Sequence, residues 1–498
     1  MTVTLEQVNQ AIHDFPLVAS AKGYVDPRDH YYLCNQLLRL LDLDEYTGDE
    51  LQSTHTDLLE IMDIFVAYAI QTGLIENQQA AREIFEAAVM DLITPLPSVV
   101  NQRFWELYQL DPPRATDYFY QLSKANNYIQ TRNIARNIAF KGSTPYGEMD
   151  ITINLSKPEK DPVEIARARE LPQVNYPKCP LCMENEGYRG HYNHAARQNH
   201  RIIRLTLGEE MYGFQYSPYL YYDEHSIVLN EQHIPMRINR ESLDHLLEFV
   251  TQFPHYFIGS NADLPGVGGS ILTHDHYQAG RYEFPMERAQ VRKVYPITQH
   301  PDVTLATIHW PMSVLRLRSA NRPSLLEVAD QITTAWREYE DLDCEIKAYT
   351  DQPHNTVTPI VRRIGQDYEM DLVLRNNRTT DEFPLGIFHP HPDVQHIKRE
   401  NIGLIEVMGL AILPPRLKEE TEQVAQYLQG LIPIEAVAQN HQEWALSLPK
   451  VEGGERAQQV VRQGIADKFT RVLEDAGVFK QDEAGQKGLE RFIASLQL

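Results

Sequence analysis

The sequence predicts an α+β fold: a duplicated unit of antiparallel sheet plus helices, flanked by helical N-terminal and C-terminal extensions. Three observations predict it. Apolar residues recur at helical spacing at both ends of the 498-residue chain. Short β-rich runs fill the middle. One pattern of motifs in that middle occurs twice.

Residues 1–145 read as a helical region. Leu37, Leu38, Leu40 and Leu41, then Leu58, Leu59, Ile61, Met62, Ile64, Phe65 and Ala69, keep a helical period, and Thr56-Asp57 offers a start for the second helix. The character changes in the turn-rich stretch Lys141-Gly-Ser-Thr-Pro-Tyr-Gly147. Met149–Leu155, His200–Leu207, Tyr219–Leu229 and Val303–Leu317 then read as strands, and Asn355–Pro359 begins another. From Lys418 to Leu498 the helical period returns, through Val424, Ala425, Leu428 and Leu431, then Val460, Val461, Ile465, Phe469 and Val472.

The duplication shows as an echo. Ile234-Pro-Met-Arg-Ile238 precedes Arg240-Glu-Ser-Leu243 and a helical pattern to Phe249. Trp310-Pro-Met-Ser-Val314 precedes Arg322-Pro-Ser-Leu325 and a helical pattern to Trp336. Each copy then reaches a His-x-His, at His274/His276 and at His389/His391. The expected divisions are 1–145, 146–295, 296–417 and 418–498.

A formal net charge of −23 argues against a nucleic-acid binder or an anionic-membrane binder, which would carry a basic surface. Four cysteines are too few for a disulfide framework, so a reduced cytoplasm is the expected home. Met1–Ile12 lacks the basic start and apolar run of a secretory signal. The longest apolar candidate for a membrane span, Ile402–Leu413, is interrupted by Glu406 and stopped by Pro414-Pro415.

Chemistry concentrates in Gly269-Ser-Ile-Leu-Thr-His-Asp-His-Tyr-Gln278. On an extended strand His274, His276 and Gln278 share a face, about 6–7 Å apart. A neutral imidazole is nucleophilic at pH 7 and can carry a phosphoryl fragment. An amide beside it can donate to the phosphoryl oxygens. The plain alternative is two satisfied histidines at a sheet edge. Arg281, Arg288, Arg292 and Lys293 follow closely and form a basic island in an acidic chain, suited to phosphate. Arg362-Arg363, Lys398 and Arg399 are further candidates. Cys179-Pro-Leu-Cys182 has the spacing for one side of a tetrahedral zinc, with His233 and His274 as natural completing ligands and His225 as the rival to His233. His389-Pro-His391-Pro392 and His396 form a second cluster, suited either to another metal or to shaping the pocket.

These residues together resemble the galactose-1-phosphate uridylyltransferase family in its second bacterial type. The likeness rests on Cys179-Pro-Leu-Cys182, His274-Asp-His-Tyr-Gln278, His354-Asn-Thr-Val-Thr-Pro359, Phe388-His-Pro-His-Pro392 and Val25-Asp-Pro-Arg-Asp-His-Tyr-Tyr32, and so covers most of the chain. The resemblance implies the histidine-triad superfamily, with two related half-barrel units. It implies uridylylation of His276, assistance from Gln278, and a structural zinc on Cys179, Cys182, His233 and His274. It implies a ping-pong exchange between UDP-glucose and galactose 1-phosphate, and a homodimer. Phosphate contacts are expected from Arg281, Arg292, Lys293, Arg362, Arg363 and Lys398. Asp275 and Tyr277 depart from the first type of the family, which has proline and glycine there. The second metal site of the family calls for a histidine where this chain has Thr356, and for a glutamate that neither Glu283 nor Glu287 securely matches, which argues against a second metal. Two other readings stand beside transfer: a nucleotide hydrolase or dinucleoside polyphosphate phosphorylase of the same superfamily, and a zinc-stabilised scaffold without catalysis.

Overall fold

The computed structural model describes residues 2–47, 52–156, 174–269 and 271–498. Ser270, part of the glycine turn that introduces His274, lies outside the described residues. The chain divides into two units: Met1–Arg132 with Pro158–Leu205 and Met211–Leu220, and Asn133–Lys157 with Thr206–Glu210 and Tyr221–Leu498.

The first unit is mainly helical, with α1 (Leu5–Ala21), α2 (His30–Leu41), α3 (Leu58–Gln71), α4 (Gln79–Asp91), α5 (Pro97–Tyr108) and α6 (Pro112–Ala125). Thr4 starts α1 with a capping box to Gln7, and Asp57 starts α3 by accepting from the Leu59 amide at 2.9 Å. Side chains at helical spacing (Ile12, Phe15, Leu37, Ile61, Phe65 and Met90) form one core. The buried Asp14 of α1 accepts from the amides of Thr54 and His55 and from the His55 ring, tying the stretch before α3 to α1.

In the second unit the turn at Pro145-Tyr146 closes an antiparallel hairpin, β1 (Ile138–Thr144) with β2 (Gly147–Ile153). The turn-rich stretch Lys141–Gly147 is thus a hairpin turn, built from residues that linkers also use. Gly142 lets β1 lie directly on a C-terminal helix; a Cβ there would come within 2.2 Å of the Ala466 Cβ. The expected strand His200–Leu207 is β3 (Ile203–Leu207), whose neighbour is β4 (Glu210–Tyr216). Their hairpin tip, Thr206–Glu210, groups with the second unit.

Then follow β5 (Ser226–Asn230), α7 (Arg240–Gln252), β6 (Phe257–Gly259), β7 (His276–Gly280), β8 (Val291–Tyr295), β9 (Thr304–Ile308), β10 (Val314–Ser319), α8 (Arg322–Glu338), β11 (Asn355–Ile364) and β12 (Asp367–Asn376). The run Val303–Leu317 is thus two strands. It breaks at Trp310-Pro311, where the proline cannot donate to a ladder. After α9 (Leu404–Val407), β13 (Leu410–Leu413) runs parallel to β2. Helices α10 (Leu417–Leu428), α11 (Gln442–Ser447), α12 (Gly454–Ala476) and α13 (Glu483–Ser495) complete the chain.

The strand order β5-β7-β6-β11-β12-β10-β9-β8 exposes the duplication. Strand–helix–strand–strand appears as β5-α7-β6-β7 and again as β10-α8-β11-β12. The two copies meet back to back at β6 and β11, giving the mirrored order β5-β7-β6 and β11-β12-β10. The structural counterpart of β7 is therefore β12. His389 and His391, which the sequence paired with His274 and His276, lie on no strand. Pro390 and Pro392 deny that stretch the amide donors a strand needs.

Candidate active site

His276 opens β7, between β5 and β6. His274 lies just before the strand rather than on it. The two are still linked, because the His276 Nδ1–H donates to the His274 carbonyl at 2.8 Å. A carbonyl can only accept, so Nδ1 holds the proton of the neutral ring and Nε2 holds the lone pair. The ring is 6% exposed, so its orientation is fixed by packing as well as by this bond.

Gln278 is on the same face of β7, two residues on. Its Oε1 accepts from the His225 Nε2–H at 3.1 Å. Burial pushes His225 down to about 4, although the bond to Gln278 opposes the shift, so the ring is neutral at pH 7. With its oxygen engaged, Gln278 presents the NH2 end of its amide as a donor. His225 is flanked by Tyr222, with centroids 4.5 Å apart, and by Tyr221, stacked at 5.4 Å. Burial, followed by the charge of Glu406, raises the Tyr221 hydroxyl, while Lys398 opposes this, which brings the buried Lys398–Glu406 pair to the same wall. Lys398 donates to Glu406 at 2.8 Å and to the Ile412 carbonyl at 3.0 Å. The Asn261 side chain accepts from the Leu404 amide at 2.9 Å. Gly259 makes room for the side chain beyond that amide; a Cβ at 259 would sit 2.8 Å from Leu404 Cδ1.

Cross-strand register extends this face through the sheet. Gln278 lies opposite Gly259, Gly259 opposite Ile360, and Ile360 opposite Asp371. Directly opposed residues share a face, and so do alternate residues along a strand. His276, Gln278, Ile360, Arg362, Asp371 and Arg375 therefore face one way. Tyr277, Ile258 and Val361 face the other.

The remaining candidate cations are scattered. Arg281 pairs with Glu224 at 3.1 Å. Arg362 is buried between Glu369 and Asp371, with Glu287 at 3.6 Å. Arg363 donates to the Gln366 carbonyl and lies 3.8 Å over the Tyr368 ring, at the β11–β12 turn. Arg292 and Lys293 are on β8, at the end of the strand order and six places from β7. There they bond Gln481 and Gln486, and Glu490, near and on α13. The sequence grouped them with His276 through proximity along the chain, but the chain crosses the sheet between β7 and β8. Arg288 lies 3.7 Å from Glu283.

Within the first unit, Cys179 and Cys182 form no disulfide. The Cys179 amide points at Cys182 Sγ and the Leu181 amide at Cys179 Sγ, each at 3.4 Å, and Asn185 Nδ2 lies 3.6 Å from Cys182 Sγ. Amides aimed at sulfur suit thiolates bound to a cation. The neighbouring Cys179 sulfur, followed by burial, raises the Cys182 thiol, as expected for two thiols held together without a metal. Within the second unit, the buried His274 donates from Nε2 to the Asn230 carbonyl at 2.7 Å, leaving the lone pair of the neutral ring on Nδ1. The exposed His233 ring lies 4.0 Å away, centroid to centroid. The Cys179–Cys182 thiol pair suits one side of a zinc site.

Sequence reading gave no role to Tyr221 or Arg375 and treated His225 only as a metal candidate. The signal for Arg375 was a charge at the end of the apolar run Leu372-Val373-Leu374.

A buried histidine whose lone pair is on Nε2, with an amide on the same strand of a duplicated α+β sheet, is an arrangement suited to group-transfer chemistry. Comparison with known proteins identifies the chain's family. Residues 23–235 match the family described as galactose-1-phosphate uridyl transferase, N-terminal domain. Residues 248–446 match the C-terminal domain of the same family. The chain is 51% identical to a galactose-1-phosphate uridylyltransferase of Lactiplantibacillus plantarum, over 96% of this chain and 98% of that protein. It is 50% identical to the protein of that name from Lactococcus lactis subsp. lactis, over 98% and 99%, and 50% to that from Enterococcus faecalis, over 94% and 95%. The chain belongs to the galactose-1-phosphate uridyl transferase family. The solved yeast Ap4A phosphorylase Apa2 covers 65% of the chain at 12% identity with a TM-score of 0.32, too weak a superposition to describe the fold. Among the described residues, no helix is long and apolar enough to cross a membrane.

Proposed function

We propose that this protein transfers a uridylyl group from UDP-glucose to galactose 1-phosphate, through a uridylyl intermediate on His276. The relatives that match it almost end to end carry the name of this activity. The observation that carries the reading is the 2.8 Å bond from His276 Nδ1 to the His274 carbonyl, which orients the ring with Nε2 as nucleophile. Nε2 attacks the inner phosphorus of UDP-glucose and forms a P–N bond. The P–O bond to the sugar phosphate breaks, and its electron pair leaves on that oxygen. An oxygen of galactose 1-phosphate then attacks the same phosphorus, and the P–N bond returns its pair to Nε2. No proton has to move, since both sugar phosphates are already ionised. Catalysis rests on placement and on offsetting charge. The Nδ1–H bond supports the positive charge the ring gains on uridylylation. Gln278 donates to a non-bridging oxygen.

Arg281 and Lys398 are the expected phosphate-facing cations nearest this wall, and Arg362 contributes to the field of the same face. A structural zinc on Cys179, Cys182, His233 and His274 would hold the stretch leading into β7 and supplies no step of the reaction. The enzyme acts in the cytoplasm, as a homodimer. Mass spectrometry after mixing with UDP-glucose alone tests the reading. A uridylyl adduct on the His276 peptide supports it, and UMP release without adduct or sugar acceptor favours hydrolysis.

A further inference from the structure

Three arginines lie on the His276 face of β10, β11 and β12, and only one of them lacks a counter-ion. Arg316 and Arg362 share Asp371, at 2.7 and 2.9 Å. Arg375, 1% exposed near the end of β12, forms no ion pair with any described carboxylate. Its Nη2 donates to the Ile402 carbonyl at 2.9 Å and its Nη1 reaches Thr358 Oγ1 at only 3.4 Å, both neutral acceptors. Its Nε has no acceptor among the described residues. The nearest acidic influence, Glu406, is held by Lys398 at 2.8 Å and by the Gly403 amide at 3.2 Å. Burial pulls the guanidinium down to about 10, the mark of a cation removed from water without an anion. Folds rarely tolerate a buried charge without a partner. Here the partner is absent while both neighbouring arginines have theirs.

The position says what the partner is. Arg375 is opposite Thr356, four residues along β12 from Asp371, and so shares the face of Gln278 and His276. Three strand spacings, about 14 Å at the backbone, separate β12 from β7. The two phosphorus atoms share one bridging oxygen, so with the inner one at the His276 ring an Arg375 side chain extended across the face toward it would meet the outer phosphate first. That group gains a negative charge when the bridging P–O bond breaks and the electron pair stays on its oxygen.

We propose that Arg375 binds the phosphate of the sugar phosphate, both as it leaves the nucleotide sugar and as it enters on the acceptor, an assignment that rests on the uridylyl-transfer reading of His276. An anionic oxygen would take the unused Nε–H and displace the neutral Ile402 carbonyl from Nη2.

Thermal unfolding and steady-state kinetics of the full-length protein, as wild type and Arg375→Met, test this. Inorganic phosphate and glucose 1-phosphate should each raise the wild-type melting temperature, with equimolar chloride as the control. The rise should vanish in Arg375→Met, which without ligand should melt no lower than wild type because it buries no unpaired charge. KM for galactose 1-phosphate should rise about 10- to 100-fold, the loss expected for a charge-assisted hydrogen bond. Arg375→Lys should recover part of that loss. A phosphate response that survives in Arg375→Met, or an unchanged KM, overturns the assignment. If Arg375→Met does not fold, Arg375→Lys carries the test: a severalfold rise in KM supports the role, and an unchanged KM overturns it. An unlabelled His276 with the phosphate response intact overturns the transfer reading and not the anion site. A labelled His276 with Arg375→Met indistinguishable from wild type overturns this assignment alone.

Discussion

His225 and Gln278 face each other across the β5–β7 edge, the neutral imidazole donating to the amide oxygen at 3.1 Å. The bond leaves the NH2 end of the amide as its free donor, the end the proposed reaction uses. His225→Phe keeps a ring between Tyr221 and Tyr222 but removes the donor, freeing the amide to flip. We expect kcat to fall about tenfold with the circular dichroism spectrum unchanged. Because His225 titrates only near pH 4, it should contribute no ionisation to the pH–rate profile between pH 5 and 9.

His276→Asn should abolish both the uridylyl adduct and turnover, by about 10⁴-fold or more, while the far-UV spectrum stays native. Gln278→Ala should still form the adduct, about 10²- to 10³-fold more slowly. Rapid-quench labelling with UDP-glucose measures both.

Asp371 neutralises two buried arginines at once. Burial alone would raise its carboxyl, but Arg316 and Arg362 hold it below the ordinary range. Asp371→Asn leaves Glu369 as the one anion that Arg316 and Arg362 still share among the described residues. Urea unfolding should show a loss of about 3–5 kcal/mol, far more than for a surface carboxylate.

Asp14 should give the first unit an acid limit. Burial would raise its carboxyl, yet hydrogen bonds from His55, Thr54 and Gln10 bring it below the usual carboxylate value. A depressed native pKa contributes stability that is present above the unfolded value, about 3.9, and is lost as pH falls through the native one. Wild-type melting temperature should therefore drop on acidification below pH 4, and Asp14→Asn should start lower at pH 7 and show a shallower drop. Differential scanning calorimetry at pH 7 and pH 3.5 reads the difference.

Metal analysis should find about one zinc per chain, lost in Cys179→Ser and Cys182→Ser. Prolonged chelation of the wild type should lower its melting temperature toward that of the variants. The His276 adduct should still form in the chelated protein while it remains folded, since zinc supplies no step of transfer.

Periodicity made the helices legible. Asp57 caps α3 where Thr56-Asp57 signalled a start, and Leu58, Ile61 and Phe65 are buried as their spacing requires. The echo before α7 and α8 marked a duplication that the strand order displays. What failed was the end of each repeat. His-x-His looks alike in both copies, but Pro390 and Pro392 keep the second from pairing, and β12 occupies the place of β7. The cations failed for another reason. Arg292 and Lys293 are near His276 in number, whereas Arg375 is remote in number and shares its face. Adjacency along a chain says little about adjacency across a sheet. That His276 and Gln278 share a side was readable because two residues on one strand need no tertiary information to do so.

The seam between the two repeats is narrow. β6 is three residues long and meets β11 through the pairs Ile360–Gly259 and Val361–Ile258, whereas β11 and β12 pair over ten residues each. Torsional compliance in a sheet concentrates where the ladder is shortest. Rocking of one repeat against the other would thus pivot on Gly259, the residue opposite Gln278. The two-pair ladder between the repeats therefore lies beside the strand that carries His276 and Gln278.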